Sequence, residues 1–245
     1  MDFSSSDLTA IGLTLRLAAI VTVLLIVLAT PLAWWLARTK SALKIPISVI
    51  TTLPLVLPPT VLGFYLLIAF SPQSAVGEML NLLGIGPLPF SFTGLVIASM
   101  IYSLPFVVQP IQNTFSEISD QALDAASTLG AGPIDRFFSV VIPMSKQGFF
   151  VAAVLGFAHT IGEFGVVLMI GGNIPGETQV VSTQIYTYVE SLDHNSANAL
   201  SVLMLLFSFV ILLPLYIIQH RGGRGLTLFR AVSYTHLTLP TILLV

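Results

Sequence analysis

The sequence predicts an all-α integral membrane protein. It reads as a bundle of five transmembrane helices, six if one short apolar stretch also crosses, with a further helix on the cytoplasmic side. Three observations predict this. Of 245 residues, 55% are hydrophobic and only 8% charged, with a mean hydropathy of +0.95, against about 25% charged in soluble domains. Five segments reach the ~20 apolar residues that a spanning helix needs. The basic residues fall almost entirely on one side of those segments.

The first segment runs roughly from Thr9 to Ala37, with Arg16 inside its start. It is too long for the apolar region of a signal peptide and no small-residue cleavage site follows, so it is expected to be retained. The second runs from Pro46 to Phe70 and is rich in proline. The third starts at Phe90 and reaches Val108 or beyond, the fourth runs from Phe149 to Ile170, and the fifth from Ala199 to Ile218. Met79 to Leu88 is apolar but short and holds Gly84, Gly86 and Pro87, so it reads as an interfacial helix or loop.

Charge sets the orientation. Arg38, Lys40 and Lys44 follow the first segment, Arg136 and Lys146 separate the third and fourth, and Arg221, Arg224 and Arg230 follow the fifth. The opposite flanks hold Asp2, Asp7, Glu78, Glu177, Glu190 and Asp193 and no Lys or Arg. Eight of nine basic residues therefore share one side. By the positive-inside rule that side is the cytoplasm and the N-terminus is outside.

Other classes are excluded by what is absent. With no cysteine, disulfides, thiolate metal sites and cysteine nucleophiles cannot form. A net charge of −2 gives no basis for a nucleic-acid partner; the surrounding partner is membrane lipid. No H-E-x-x-H, G-x-S-x-G or G-x-x-x-x-G-K-[ST] motif occurs, so neither a metalloprotease, a serine hydrolase nor a phosphate loop is expected. The run Ser233-Tyr234-Thr235-His236-Leu237-Thr238-Leu239-Pro240 fits none of this and resembles translated sequencing adapter. Residues 231–245 are expected to be a non-native tail.

The cytoplasmic stretch 112–147 must be structured in water. Glu117, Asp120 and Asp124 alternate with Ile118, Leu123, Ala126 and Leu129 at helical spacing. Ser119 or Ser116 caps the start, Gly130 ends the helix and Gly132-Pro133 prevents continuation. Ala125 and Ala126 allow another backbone to come close, and Phe137 and Phe138 pack the element onto its own membrane domain or into a partner. By periodicity alone this is an ordinary amphipathic helix on the bilayer surface.

The spacing says more. Asp124-Ala125-Ala126, then Gly130, then Val140-Val141-Ile142-Pro143 resembles the E-A-A, three residues, G, nine residues, I-x-L-P signature of ABC-transporter permeases, with Asp124 for Glu, Val140 for Ile and Ile142 for Leu. Leu53-Pro54-Leu55-Val56-Leu57-Pro58-Pro59-Thr60-Val61-Leu62-Gly63, Gly162-Glu163-Phe164-Gly165 and Asn173-Ile174-Pro175-Gly176-Glu177-Thr178 are similar to the molybdate permeases of the type I, binding-protein-dependent importers. Sulfate permeases share the Gly-Glu-aromatic-Gly element but not the Asn-Ile-Pro-Gly-Glu-Thr run. The resemblance covers residues 8–220.

That resemblance implies a homodimer of permeases, two ATPase subunits and a periplasmic or lipid-anchored oxyanion-binding protein, in the bacterial inner membrane. It implies import of molybdate and also tungstate, with sulfate or another oxyanion as the alternative. This chain binds no cofactor; ATP and Mg belong to the partner ATPase. Asp124, Ala125, Ala126, Leu129, Gly130 and Pro143 are expected to couple to that ATPase. Pro58, Pro59, Thr60 and Gly63, with His159, Gly162, Glu163 and Gly165, are expected at the translocation path or gate, and Asn173, Pro175, Gly176 and Glu177 at the binding protein.

Physical chemistry supports some of these roles and leaves others open. Pro54, Pro58 and Pro59 remove backbone donors, which is tolerated at membrane depth only inside protein or beside a water-filled cavity; a kinked, packed helix satisfies that as well as a path does. Thr60 and Tyr65 are polar candidates for the path. Glu163 is the deepest acid, one turn after His159, and their i,i+4 spacing allows a pair. A carboxylate repels a dianion, so Glu163 is expected to support the gate, through His159 or the turns at Gly162 and Gly165, and not to hold substrate. Related permeases usually carry Arg where this chain has His159. A proton-coupled secondary carrier using Glu163 and His159 is the competing reading; the chain lacks the second, similar half that such folds show.

Overall fold

The computed structural model describes residues 3–82, 84 and 86–221, with side chains to residue 218. The expected tail, with Arg224 and Arg230, lies outside the described residues. Every regular element among the described residues is helical.

Helix α1 (Ser5–Arg38) is the axis of the bundle. Its start is fixed by a reciprocal cap: the Asp7 amide donates to Ser4 Oγ at 3.2 Å, and the Ser4 amide donates to the Asp7 carboxylate at 2.9 Å. Leu17, Val21, Leu25, Ala29, Ala33 and Leu36 form a buried stripe at helical spacing. The stripe packs on α5 (Phe92–Glu117) and α9 (Lys146–Ile161). Leu95, Val107, Val108, Ile111 and Phe115 supply the facing surface of α5.

The second segment is broken. After α2 (Lys44–Thr52) and one 3₁₀ turn at Leu53–Leu55, the chain bends by 112° into α3 (Pro59–Phe70). Pro58 and Pro59 lack the amide donors that a straight helix would require there. Helix α4 (Ala75–Leu82) follows; it begins ahead of the interfacial helix or loop expected over Met79–Leu88 and overlaps only its first part.

On the far side of α5, Ser119 caps α6 (Asp120–Thr128), accepting from the Ala122 amide. Gly130, at φ +88°, donates to the Ser127 carbonyl and Ala131 donates to that of Ala126. This is the left-handed helix stop that favours glycine. Helices α7 (Pro133–Arg136) and α8 (Ile142–Met144), joined by a π-helical turn at Phe137–Val141, lead to a 69° bend into α9.

The expected fourth span, continuous from Phe149 to Ile170, is corrected. Helix α9 ends at Ile161 with Gly162 as its cap, Glu163 and Phe164 are non-helical, and α10 (Gly165–Gly171) starts afresh. The new direction lays α10 against α3 and α5. Two glycines permit the crossing: a Cβ on Gly165 would sit 2.8 Å from Pro59 Cβ, and one on Gly63 2.8 Å from Met169 Cβ. Helix α11 (Val181–Glu190) then precedes α12 (His194–Arg221), which starts five residues ahead of the expected Ala199.

Among the described residues three helices, α1, α5 and α12, are each long and apolar enough to cross a membrane, and the number reaches five where each bent pair counts as one span. Apolar side chains exposed on α12, such as Leu205, Phe209 and Leu213, and on α2 and α3, such as Ile45, Ile50 and Ile68, suit a hydrocarbon surround. The N-terminal end of α1 and the 173–179 segment share one end of the bundle; Arg38 and α6 share the other.

Candidate functional site

The breaks in the second and fourth segments face each other. Between them lies a cavity of about 420 Å³, open on one side. Pro59 and Thr60 line it from the first turn of α3; His159 and Gly162 line it from the end of α9; Glu163 and Gly165 line it from the turn beyond. Six of the eight expected path residues are therefore brought together. Pro58 and Gly63 are not: Pro58 ends the bend, and Gly63 lies at the α3–α10 crossing. Tyr65 also lies elsewhere, 64% exposed on the outer face of α3 beside Phe64. Tyr102 of α5 completes the polar lining, and nothing in its local sequence distinguishes it.

The expected pairing of His159 with Glu163 does not form. Because α9 stops at Ile161, the two residues no longer share a helical face. His159 turns to α5, where its Nδ1 lies 2.9 Å from Ser103 Oγ and its ring stacks on Phe106. The Glu163 side chain is buried, and neither carboxyl oxygen has a hydrogen-bond partner among the described residues. The hydroxyl beside it, on buried Ser99, is likewise outside hydrogen-bonding geometry. It is the main chain of Glu163 that is held: its carbonyl accepts from Ser182 Oγ of α11 at 2.6 Å. Phe164 packs against Tyr186 of the same helix, ring centroids 5.3 Å apart.

Helix α11 thus joins the cavity wall to the end of α1. Tyr188 donates to the buried carboxylate of Asp7 at 2.8 Å, and the Val181 amide donates to Thr14 Oγ1 at 2.9 Å. The Ser4–Asp7 cap is legible in sequence; the reach to Tyr188 is not. In the preceding loop, Asn173 is turned inward and donates to Thr187 Oγ1. Pro175, Gly176 and Glu177 are exposed, and the first two border a groove of about 210 Å³ with Ser5, Ser6 and Thr9.

At the opposite end, Trp34 stands edge-on to Phe115 and Phe137, with centroids 5.3 and 5.6 Å away. This aromatic root fixes where α6 leaves the bundle. Arg38 adds two contacts, to the Ile118 carbonyl at 2.7 Å and to Asp120 at 2.8 Å. Of the expected coupling residues, Asp124, Ala125, Leu129 and Gly130 are exposed and Ala126 is half-exposed. Pro143 lies in α8 at the return to the bundle. Leu129, Ile134 and Phe138 present an apolar surface at 88%, 75% and 65% exposure, while Phe137 packs inward. Among the described residues no group of three His, Asp or Glu is placed to hold a metal.

The chain is 58% identical to the molybdenum transport system permease protein ModB of Azotobacter vinelandii over 88% of this chain and 96% of that protein. It is 32% identical to the ModB protein of Escherichia coli K12 over 81% and 87% of the two chains. A probable sulfate transport system permease of Zygnema circumcarinatum is 34% identical over 84% of this chain and 71% of its own. In fold, the chain is similar to a bacterial alginate ABC transporter crystallised with an alginate-bound periplasmic protein, with a TM-score of 0.71 at 18% identity, covering 91% of this chain and 81% of that one. Residues 29–228 match the model of the binding-protein-dependent transport system inner membrane component, and the chain belongs to that family of multi-pass transport subunits.

Proposed function

We propose that this chain is the permease subunit of an ATP-driven importer that carries molybdate, and with it tungstate, across the bacterial inner membrane. The observation that carries the substrate is the 58% identity to the Azotobacter molybdenum permease over nearly its whole length. The sulfate-type relatives stand at 34% and 31%.

In this reading two copies of the chain form the path, and two ATPase subunits bind ATP and Mg. The exposed apolar surface of Leu129, Ile134 and Phe138, with Ala125 and Ala126, docks on the ATPase. The opposite end, with the N-terminus outside, receives a periplasmic or lipid-anchored binding protein at Pro175, Gly176 and Glu177. ATP-driven closure of the ATPases moves the two docked loops together and opens the permease outward; hydrolysis returns it inward. The cavity between the two broken segments is where the oxyanion passes. Broken backbone at membrane depth supports this, because it is stable only within protein or beside water.

The test is reconstitution of this chain with its ATPase and binding protein. ATPase stimulation by binding protein loaded with molybdate or tungstate, but not sulfate, is the expected result. Stimulation by sulfate alone moves the substrate. Transport that persists without the ATPase and is abolished by an uncoupler replaces the reading with a proton-coupled carrier.

A further inference from the structure

The imidazole of His159 is held on three sides. Its ring stacks on Phe106 with centroids 3.9 Å apart and leans on Tyr102 at 4.7 Å. Its Nδ1 lies 2.9 Å from Ser103 Oγ, and Ser103 is fully buried. The same Oγ lies 3.1 Å from Thr160 Oγ1, and Thr160 donates to the Gly156 carbonyl at 2.9 Å.

With Thr160 donating to Gly156, the protons along this relay run in one direction. A hydroxyl has one proton to give. That of Thr160 is on Gly156, so Thr160 Oγ1 accepts from Ser103. The Ser103 proton is then on Thr160, so Ser103 Oγ accepts from His159. In that direction Nδ1 carries a proton, and in a neutral imidazole the other nitrogen is then bare. With the Nδ1 edge turned to Ser103, and His159 lining the cavity, the bare Nε2 has no protein partner among the described residues.

We propose that Ser103 and Thr160 are positioning residues that hold His159 as the Nδ1–H tautomer and present Nε2 to the cavity, where it takes a proton and then donates to the passing oxyanion. This rests on the reading of the cavity as an oxyanion path. A bare Nε2 offers only a lone pair, which repels an anion. One proton delivered from bulk solvent turns it into a cationic N–H donor, while Nδ1–H stays on Ser103 and no relay member moves. The opposite tautomer has no Nδ1 proton to give Ser103 and fits the relay only if both hydroxyls reverse. The titratable groups that line the cavity with His159 are Glu163 on the turn beyond α9 and the Tyr102 phenol from α5; Thr60 of α3 is uncharged, and among the described residues no Lys or Arg lines the cavity. Protonated His159 is the cation of this lining.

The direct test is ¹⁵N-histidine NMR of the full chain in lipid nanodiscs, with His159→Arg identifying its signal among the four histidines. A neutral His159 with a protonated Nδ1 and a bare Nε2 is expected; Nε2–H overturns the proposal. Thr160→Val frees the Ser103 proton to donate to Nδ1 and is expected to switch the tautomer, while Thr160→Ser keeps it. An unchanged tautomer in Thr160→Val also overturns it, and the wild-type spectrum decides even where that variant does not insert.

Molybdate uptake by the reconstituted complex gives the functional readout. KM is expected to rise by up to about tenfold per pH unit above the imidazole titration, with kcat little changed. Thr160→Val and His159→Arg flatten that profile and Thr160→Ser restores it. A Thr160→Val profile identical to wild type sinks the positioning role. Failure of the wild-type complex to move molybdate at all undoes the transport reading, while the tautomer spectrum still tests this one.

Discussion

Ser182 of α11 donates to the main-chain carbonyl of Glu163 at 2.6 Å, and so ties an outer helix to the break that shapes the cavity. The same helix is tied to the start of α1 through Tyr188 and Asp7. The 173–179 loop is thus joined to the cavity wall by hydrogen bonds, Asn173 to Thr187 and Ser182 to Glu163, on one helix. Ser182→Ala leaves the carbonyl unsatisfied and is expected to lower stability by about 1 kcal/mol. Its larger effect is expected on coupling: stimulation of ATPase by loaded binding protein falls while basal ATPase holds. Equal loss of both would show that Ser182 only stabilises.

Asp7 is a buried carboxylate that accepts from Ser4, Tyr188 and Gln184. Hydrogen bonds to a charged group are worth about 1.5–3 kcal/mol. Asp7→Ala is expected to destabilise by that amount, and Tyr188→Phe by less. Because the two touch, the double variant should cost less than the sum. Thermal unfolding of the purified chain in detergent measures all three, and additive losses would deny the link.

How much of this was legible in the sequence follows from distance along the chain. The α6 stop is readable because both of its bonds, Gly130 to Ser127 and Ala131 to Ala126, close within five residues. The Pro58-Pro59 break was readable because proline lacks a donor wherever it sits, although the 112° turn depends on what α3 packs against. Ser103 and His159 lie 56 residues apart, and Tyr188 and Asp7 lie 181 apart. A serine or tyrosine in an apolar run carries no mark of such a partner. The Glu163–His159 pair, one of the two roles that the spacing allows Glu163, fails for a related reason: it needs helical periodicity to run through Gly162, where α9 ends.

Arg38 and Asp120 test which half of an ion pair matters. Asp120 is 87% exposed and the Arg38 side chain 23%. A pair with one partner in water contributes little, typically ~0–1 kcal/mol. Asp120→Asn is therefore expected to be nearly silent. Arg38→Met also removes the donor to the Ile118 carbonyl and the contact with Trp34, and should loosen the root of α6. Protease cleavage within 118–132 is the readout, expected to rise for Arg38→Met and to stay near wild type for Asp120→Asn.

The crossing of α3 and α10 makes a sharper steric prediction. Gly165→Ala places a methyl 2.8 Å from Pro59 Cβ and 3.2 Å from the Thr60 amide nitrogen. Both are parts of a proline-fixed turn that cannot yield, so overpacking of about 1–3 kcal/mol is expected. Gly12→Ala on α1 meets nothing within 4 Å and should gain about 0.5–1 kcal/mol from helix propensity. Unfolding temperatures should move in opposite directions for the two. Because Pro59 and Thr60 line the cavity, Gly165→Ala should also lower uptake of the oxyanion below what its stability loss explains. Uptake that merely tracks the amount of folded protein would mean that the crossing supports the bundle without shaping the path.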